Sequence, residues 1–167
     1  MEGAMNLLHL LYQEMIHYYK GDPKRIQHFV KVHSFAKLIG QEEGLSDELQ
    51  LILEATAFVH DIGIKAAEEK YGSCNGKLQE QEGPVLAGRM LEGLGFQQVI
   101  IDRVMYLVGH HHTYSDISGI DYQILVEADF LVNLYEDGLD GKAVQVALEK
   151  IFKTKTGRLI CQQMFLD

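Results

Sequence analysis

The sequence predicts an all-α, single-domain helical bundle. Three observations carry that reading. Apolar residues recur at steps of three and four along nearly the whole chain. No segment alternates with period two for long. Glycines, an Asp-Pro pair and capping serines punctuate the helical stretches where turns are needed.

The elements follow in order. Leu7, Leu8, Leu11, Met15 and Tyr18 line one face of a first helix ending near Gly21. Asp22-Pro23 supplies an N-cap with proline at the first helical position, opening a second helix through Arg25–Ile39 that stops before Gly44. Ser46 caps a third, which runs into Ala57-Phe58-Val59-His60-Asp61 and is expected to end at Gly63. The polar stretch from Lys65 to about Lys77 reads as surface, with residues 71–76 as a loop. Pro84 is the expected start of the next helix, through Ala87, Met90 and Leu91 to Gly93 or Gly95. A helix over Val99–Val108 leads into Gly109-His110-His111-His112, a loop follows, and an apolar helix covers Tyr122–Tyr135. One or two C-terminal helices complete the chain after Gly138 and Gly141.

Composition narrows the function. The 167 residues suffice for one domain with a real core, over residues 1–167. With 15 basic and 24 acidic residues the formal charge is −9, which argues against a general nucleic-acid binder. No apolar run is long enough to span a bilayer, and the first fifteen residues lack the basic start of a secretory signal. Cys74 and Cys161 are too few for a disulfide scaffold or a cysteine-built zinc site, so the reducing cytoplasm is the expected compartment. Leu7–Leu11 and Leu159–Leu166 are candidates for core packing or for a homodimer contact.

The chemistry sits in four places. Val32, Phe35, Ala36 and Ile39 share a helical face with His28, which turns that imidazole inward. One inward histidine also reads as a hydrogen-bonded core residue. His33 lies about 140° round the helix and does not share the role. His60-Asp61 ends an apolar helix with two polar groups, costly there unless paired or coordinated. Leu125, Val126 and Val132 share the face of Asp129, whose carboxylate needs a cation, a strong donor or a proton; a salt bridge with arginine is the alternative. Glu127 faces elsewhere and reads as solvated. Successive helical positions rotate by about 100°, so His110, His111 and His112 cannot all face one core. They are candidate metal ligands, phosphate contacts or proton donors, or simply a polar loop. Imidazoles and carboxylates on separate helices of a bundle suit a divalent transition metal.

The order His28…His60-Asp61…His111…Asp129 resembles the HD-domain metal-dependent phosphohydrolases. The matching pieces are Arg25-Ile26-Gln27-His28, His60-Asp61-Ile62-Gly63, Gly109-His110-His111 and Glu127-Ala128-Asp129, a motif core within about residues 25–135. The resemblance implies an HD-type bundle with a buried metal site. His28, His60, Asp61 and Asp129 would be the ligands, with Asp61 bridging a second ion if one binds. The closest pattern is that of small bacterial HD hydrolases of the diadenosine-tetraphosphate-hydrolase type, which carry a further histidine near a helix start resembling Glu82-Gly83-Pro84-Val85. Glu82 stands at that position, as a ligand or as a first-turn acid favoured by the helix dipole. Counting back from Asp129 as in those hydrolases favours His111 within the triplet and leaves His110 and His112 as alternative ligands. Ile64 stands where the cyclic-dinucleotide branch carries lysine, and the downstream Gly-Tyr-Pro signature is missing, so cyclic di-GMP hydrolysis is not expected.

The expected activity is hydrolysis of a small phosphate ester or nucleotide by a metal-activated water. The cofactor is one or two divalent ions, drawn from manganese, iron, cobalt, nickel, zinc and magnesium. Asp61, His111, His110 and Lys65 are the expected catalytic residues. Arg25, Lys65 and His112 are the expected substrate contacts, and Glu68 or Glu69 a candidate acid. An HD-fold di-iron oxygenase and a non-catalytic metal or nucleotide sensor are the competing readings.

Overall fold

In a computed structural model, which describes residues 2–166 (for residues 2 and 5 the backbone alone), the described residues form nine α-helices and no strand. They are α1 (Glu2–Tyr18), α2 (Pro23–Glu42), α3 (Asp47–Val59), α4 (Gly63–Tyr71), α5 (Gly76–Leu94), α6 (Gln98–Val108), α7 (Ile120–Glu136), α8 (Gly141–Lys150) and α9 (Lys155–Phe165). None is long and apolar enough to cross a membrane.

Local chemistry sets most boundaries. Asp22 caps α2 by accepting from the Arg25 N–H, with Pro23 in the first turn. Ser46 caps α3 through the Leu49 N–H. Two boundaries differ from expectation. Gly63 does not end the third helix but begins α4, after the tight turn of residues 60–62. Pro84 lies inside α5, which starts eight residues earlier because the Asn75 side chain accepts from the Leu78 N–H and nucleates the helix there. The proline costs α5 one backbone hydrogen bond, a loss that its packing on α4 and α6 offsets.

The core is one buried cluster reaching from Leu11 and Met15 of α1 to Phe152 and Cys161. At its centre α2 packs on α3 and α7, and α3 packs on α6. Glu127 is a correction: it is fully buried, not solvated. Its Oε1 accepts from the Lys153 and Thr154 amides (2.5 and 2.8 Å) and its Oε2 from the Thr154 hydroxyl (2.5 Å). Those bonds tie α7 to the start of α9, where a Cβ on Gly157 would meet Glu127 Oε2 at 2.2 Å. Leu11 is buried, whereas Leu159 is half exposed.

Candidate metal centre

Three packed helices and one turn bring the site together. His28 comes from the buried face of α2, His60 caps α3, Asp61 lies in the turn before α4, and Asp129 faces inward from α7. The 60–62 turn is pinned from α1, where the Tyr19 hydroxyl donates to the Asp61 carbonyl at 2.6 Å. Gly63 lets α4 lie against α5: a Cβ there would stand 2.7 Å from the Gln79 carbonyl oxygen and the Gly83 nitrogen.

His28 Nε2 lies 3.2 Å from His60 Nε2, from Asp61 Oδ2 and from Asp129 Oδ1. His60 Nε2 is 3.4 Å from the same two carboxylate oxygens. His111 Nε2 approaches the other oxygen, Asp61 Oδ1, at 3.4 Å. The opposite ring nitrogens point outward. His60 Nδ1 donates to the Ala57 carbonyl (2.8 Å), His111 Nδ1 to the Val108 carbonyl (2.7 Å), and His28 Nδ1 to Glu136 Oε2 (3.1 Å). Lys31 completes that pair at 2.7 Å from Glu136 Oε1.

These bonds fix the chemistry of the centre. With its proton on Nδ1, each neutral imidazole presents an Nε2 lone pair inward. Lone pairs from two histidines and oxygens from two carboxylates then meet within hydrogen-bond distance, an arrangement that only a cation makes favourable. Without a metal, that cation is a proton. Burial opposes charge on His28, yet Asp129 and Asp61 raise its pKa to about 11. His60 is raised in the same way against still deeper burial, and its charge together with that of His28 holds Asp61 well below the carboxylate range. Two atoms in the centre, His111 Nε2 and Asp129 Oδ1, are buried without a hydrogen-bond partner. Orphaned acceptors of this kind fit a divalent ion, and the mixed imidazole–carboxylate set suits manganese, iron, cobalt, nickel or zinc. The outward hydrogen bonds are what orient metal-ligating histidines.

A cavity of about 200 Å³ is lined by His28, Asp61 and Asp129, together with Lys24 and Arg25 of α2 and the acids Glu136 and Asp137. Arg25 is held by Glu68 at 2.8 Å and by Asp22. His112 and Gln79 line the cavity from the other side. Burial holds His112 neutral, with its pKa lowered to about 4 and His111 adding to the effect.

Four expected residues stand elsewhere. Glu82 is not among the clustered ligand atoms; its carboxylate is taken by Lys70 at 2.5 Å and Tyr71 at 2.9 Å. His110 stacks on Tyr106, and its Nδ1 bonds the Tyr106 carbonyl at 2.7 Å. Lys65 lies over the Tyr18 ring and lines a neighbouring cavity of about 150 Å³ that shares Arg25 with the first. Glu69 is exposed and outside both cavities.

Gln79 and Glu136 are the residues that sequence reasoning missed. Both had a periodicity signal. Glu136 lies seven positions after Asp129, on the same face, and Gln79 heads the buried stripe Gln79, Gly83, Ala87, Leu91.

No family model matches the chain, and no curated protein matches it. Among solved structures, the chain is similar to a predicted HD superfamily hydrolase from an uncultured Thermotogales bacterium, determined at 1.45 Å. The two share 23% identity and a TM-score of 0.63, over 95% of this chain and 83% of that one. The likeness establishes the architecture: this chain shares the all-α fold of that structure, and its buried His/Asp cluster could hold a metal.

Proposed function

We propose that the protein is a metal-dependent phosphohydrolase acting on a small phosphate ester or nucleotide. The observation that carries this reading is the convergence of His28, His60, Asp61 and Asp129 beside a cavity that His28, Asp61 and Asp129 line together with Lys24 and Arg25. His28, His60, Asp61 and Asp129 would hold the ion. A divalent ion there supplies two things when bound: a lowered pKa for water, and neutralisation of phosphoryl oxygens.

The chain's own residues do the rest. Lys24 lines the cavity as a cation that favours an anionic ligand, beside Arg25, which is paired with Glu68 and Asp22, and the acid Asp137. Glu136 does not oppose this strongly, because its charge is shared between His28 and Lys31. Tyr19 and the Gly63 contact hold Asp61 in place, so its carboxylate needs no rearrangement before reaction. His111 adds a third imidazole to Asp61, on its other carboxylate oxygen. A cavity of about 200 Å³ is smaller than a drug-sized pocket, so the phosphorylated end enters and the remainder of a larger substrate stays outside. His110 and Lys65 have no part in this reading.

Phosphate release from a panel of nucleotides and simple phosphate esters, with manganese or cobalt added, tests it. Turnover by the wild type and none by Asp61→Ala is the expected result. Equal release by both, or none by the wild type with any of these metals, overturns it.

A further inference from the structure

The cavity beside the metal centre has two unlike walls. Lys24, in the first turn of α2, brings a cation with no ion-pair partner among the described residues. Next to it the charge of Arg25 is shared with Glu68 and Asp22. The other wall is the last turn of α7, with Asn133, Glu136 and Asp137. Two acids and the carbonyl end of a helix make that wall unfavourable to an anion. Glu136 is already committed to His28 and Lys31. The Asn133 amide and the Asp137 carboxylate have no side-chain hydrogen bond among the described residues and line the cavity.

Asn133 lies one turn beyond Asp129 on α7, about 6 Å along the helix, so it meets the group attached to a phosphoryl rather than the phosphoryl itself. Its amide offers a donor and an acceptor, and a carboxylate only accepts. A phosphate oxygen uses the donor alone, whereas a hydroxyl uses both and also donates to a carboxylate. A nucleobase is poorly served. Among the described residues no phenylalanine or tyrosine ring lines this cavity to stack on it. Tyr18 and Tyr19 line only the neighbouring cavity, where Lys65 lies over Tyr18 and Tyr19 is buried. The His112 imidazole is packed against His111 and Gly76.

We propose that this cavity recognises the phosphate ester of a small polyol, a sugar phosphate rather than a nucleotide, with its phosphoryl group on the Lys24 side and its hydroxyls on Asn133 and Asp137. The proposal takes from the preceding reading only that the phosphoryl group lies at the metal centre. Hydrolysis of such an ester consumes one water. The water oxygen forms the new P–O bond and the ester P–O bond breaks. One water proton ends on the departing polyol oxygen and the other on inorganic phosphate.

Glycerol 1-phosphate and propyl phosphate differ only in two hydroxyls and make the test pair. Isothermal titration calorimetry of each into the metal-stripped protein reads recognition without turnover, and phosphate release with manganese reads kcat and KM. The wild type should bind glycerol phosphate about 10-fold tighter than propyl phosphate, as two hydrogen bonds allow. It should bind ribose 5-phosphate at least as tightly as adenosine 5′-monophosphate. Asn133→Leu should bring the glycerol-to-propyl ratio down to about 3 or less, through KM rather than kcat, with manganese uptake unchanged. Asp137→Ala, at an exposed position, should lower the ratio as well, and it carries the test if circular dichroism shows Asn133→Leu unfolded. Equal binding of the two esters, binding of neither, tighter binding of adenosine monophosphate, or a ratio unchanged in both variants overturns the polyol site. Selective binding without phosphate release overturns the hydrolytic reading alone.

Discussion

Raising the pH of the metal-free protein should destabilise it, because its buried centre keeps a proton that the unfolded chain releases. His28 is 8% exposed and titrates near 11 in the fold, against 6.5 as an ordinary imidazole. A group whose folded pKa is raised gives its full stabilisation below the unfolded value and loses it as pH climbs toward the folded one. The window therefore opens near 6.5 and extends toward 11. Within it one such proton is worth about 1.4 kcal/mol per pH unit, so a rise from about pH 7 to about pH 9 removes on the order of 3 kcal/mol. For a chain of this size that lowers Tm by about 6–12 °C. His60 acts in the same direction. Manganese takes the proton's place, so its affinity should rise about tenfold per pH unit for each proton displaced, and the Tm gain on adding it should grow with pH. Differential scanning calorimetry with and without manganese reads both effects, and His28→Asn should show a shallower loss. A metal-free Tm that stays flat or rises from about pH 7 to about pH 9 would refute the reasoning.

Other perturbations separate the scaffold from the site. Glu127→Ala strips the buried Thr154 amide, the half-buried Lys153 amide, a hydroxyl and the Gln123 side chain of their acceptor, and should cost about 3 kcal/mol in chemical denaturation while leaving metal uptake unchanged. Gly63→Ala places a Cβ 2.7 Å from α5 backbone atoms that cannot swing aside; it should cost about 1–3 kcal/mol and also weaken metal binding, because Asp61 lies two residues away. At the acid end, Asp61 and Asp129 titrate below the ordinary aspartate value, so their stabilisation is present above about pH 4 and should disappear as pH falls through their folded values in an acid titration of the metal-free protein.

The candidate ligands were legible because burial of a polar residue shows in its neighbours. Val32, Ala36 and Ile39 mark the face of His28, and Leu125, Val126 and Val132 that of Asp129. The same rule misled at Glu127. It lies about 200° round α7 from Asp129, a side that faces water in most helices, but here α9 covers it. Helix α4 was hidden because nine residues with only Gly63, Ile64 and Ala67 buried make a weak stripe. Glu82 matched by its place in the sequence, but Lys70 and Tyr71 on α4 draw it away. Gln79 escaped because a neutral amide carries no obvious chemistry until its partner His112 is seen beside it.

Anomalous diffraction from crystals grown with manganese tests the central claim most directly. A peak within coordination distance of His28 Nε2, His60 Nε2, Asp61 Oδ2 and Asp129 Oδ1 is the predicted result. Manganese-loaded crystals with no peak among those four atoms would contradict it.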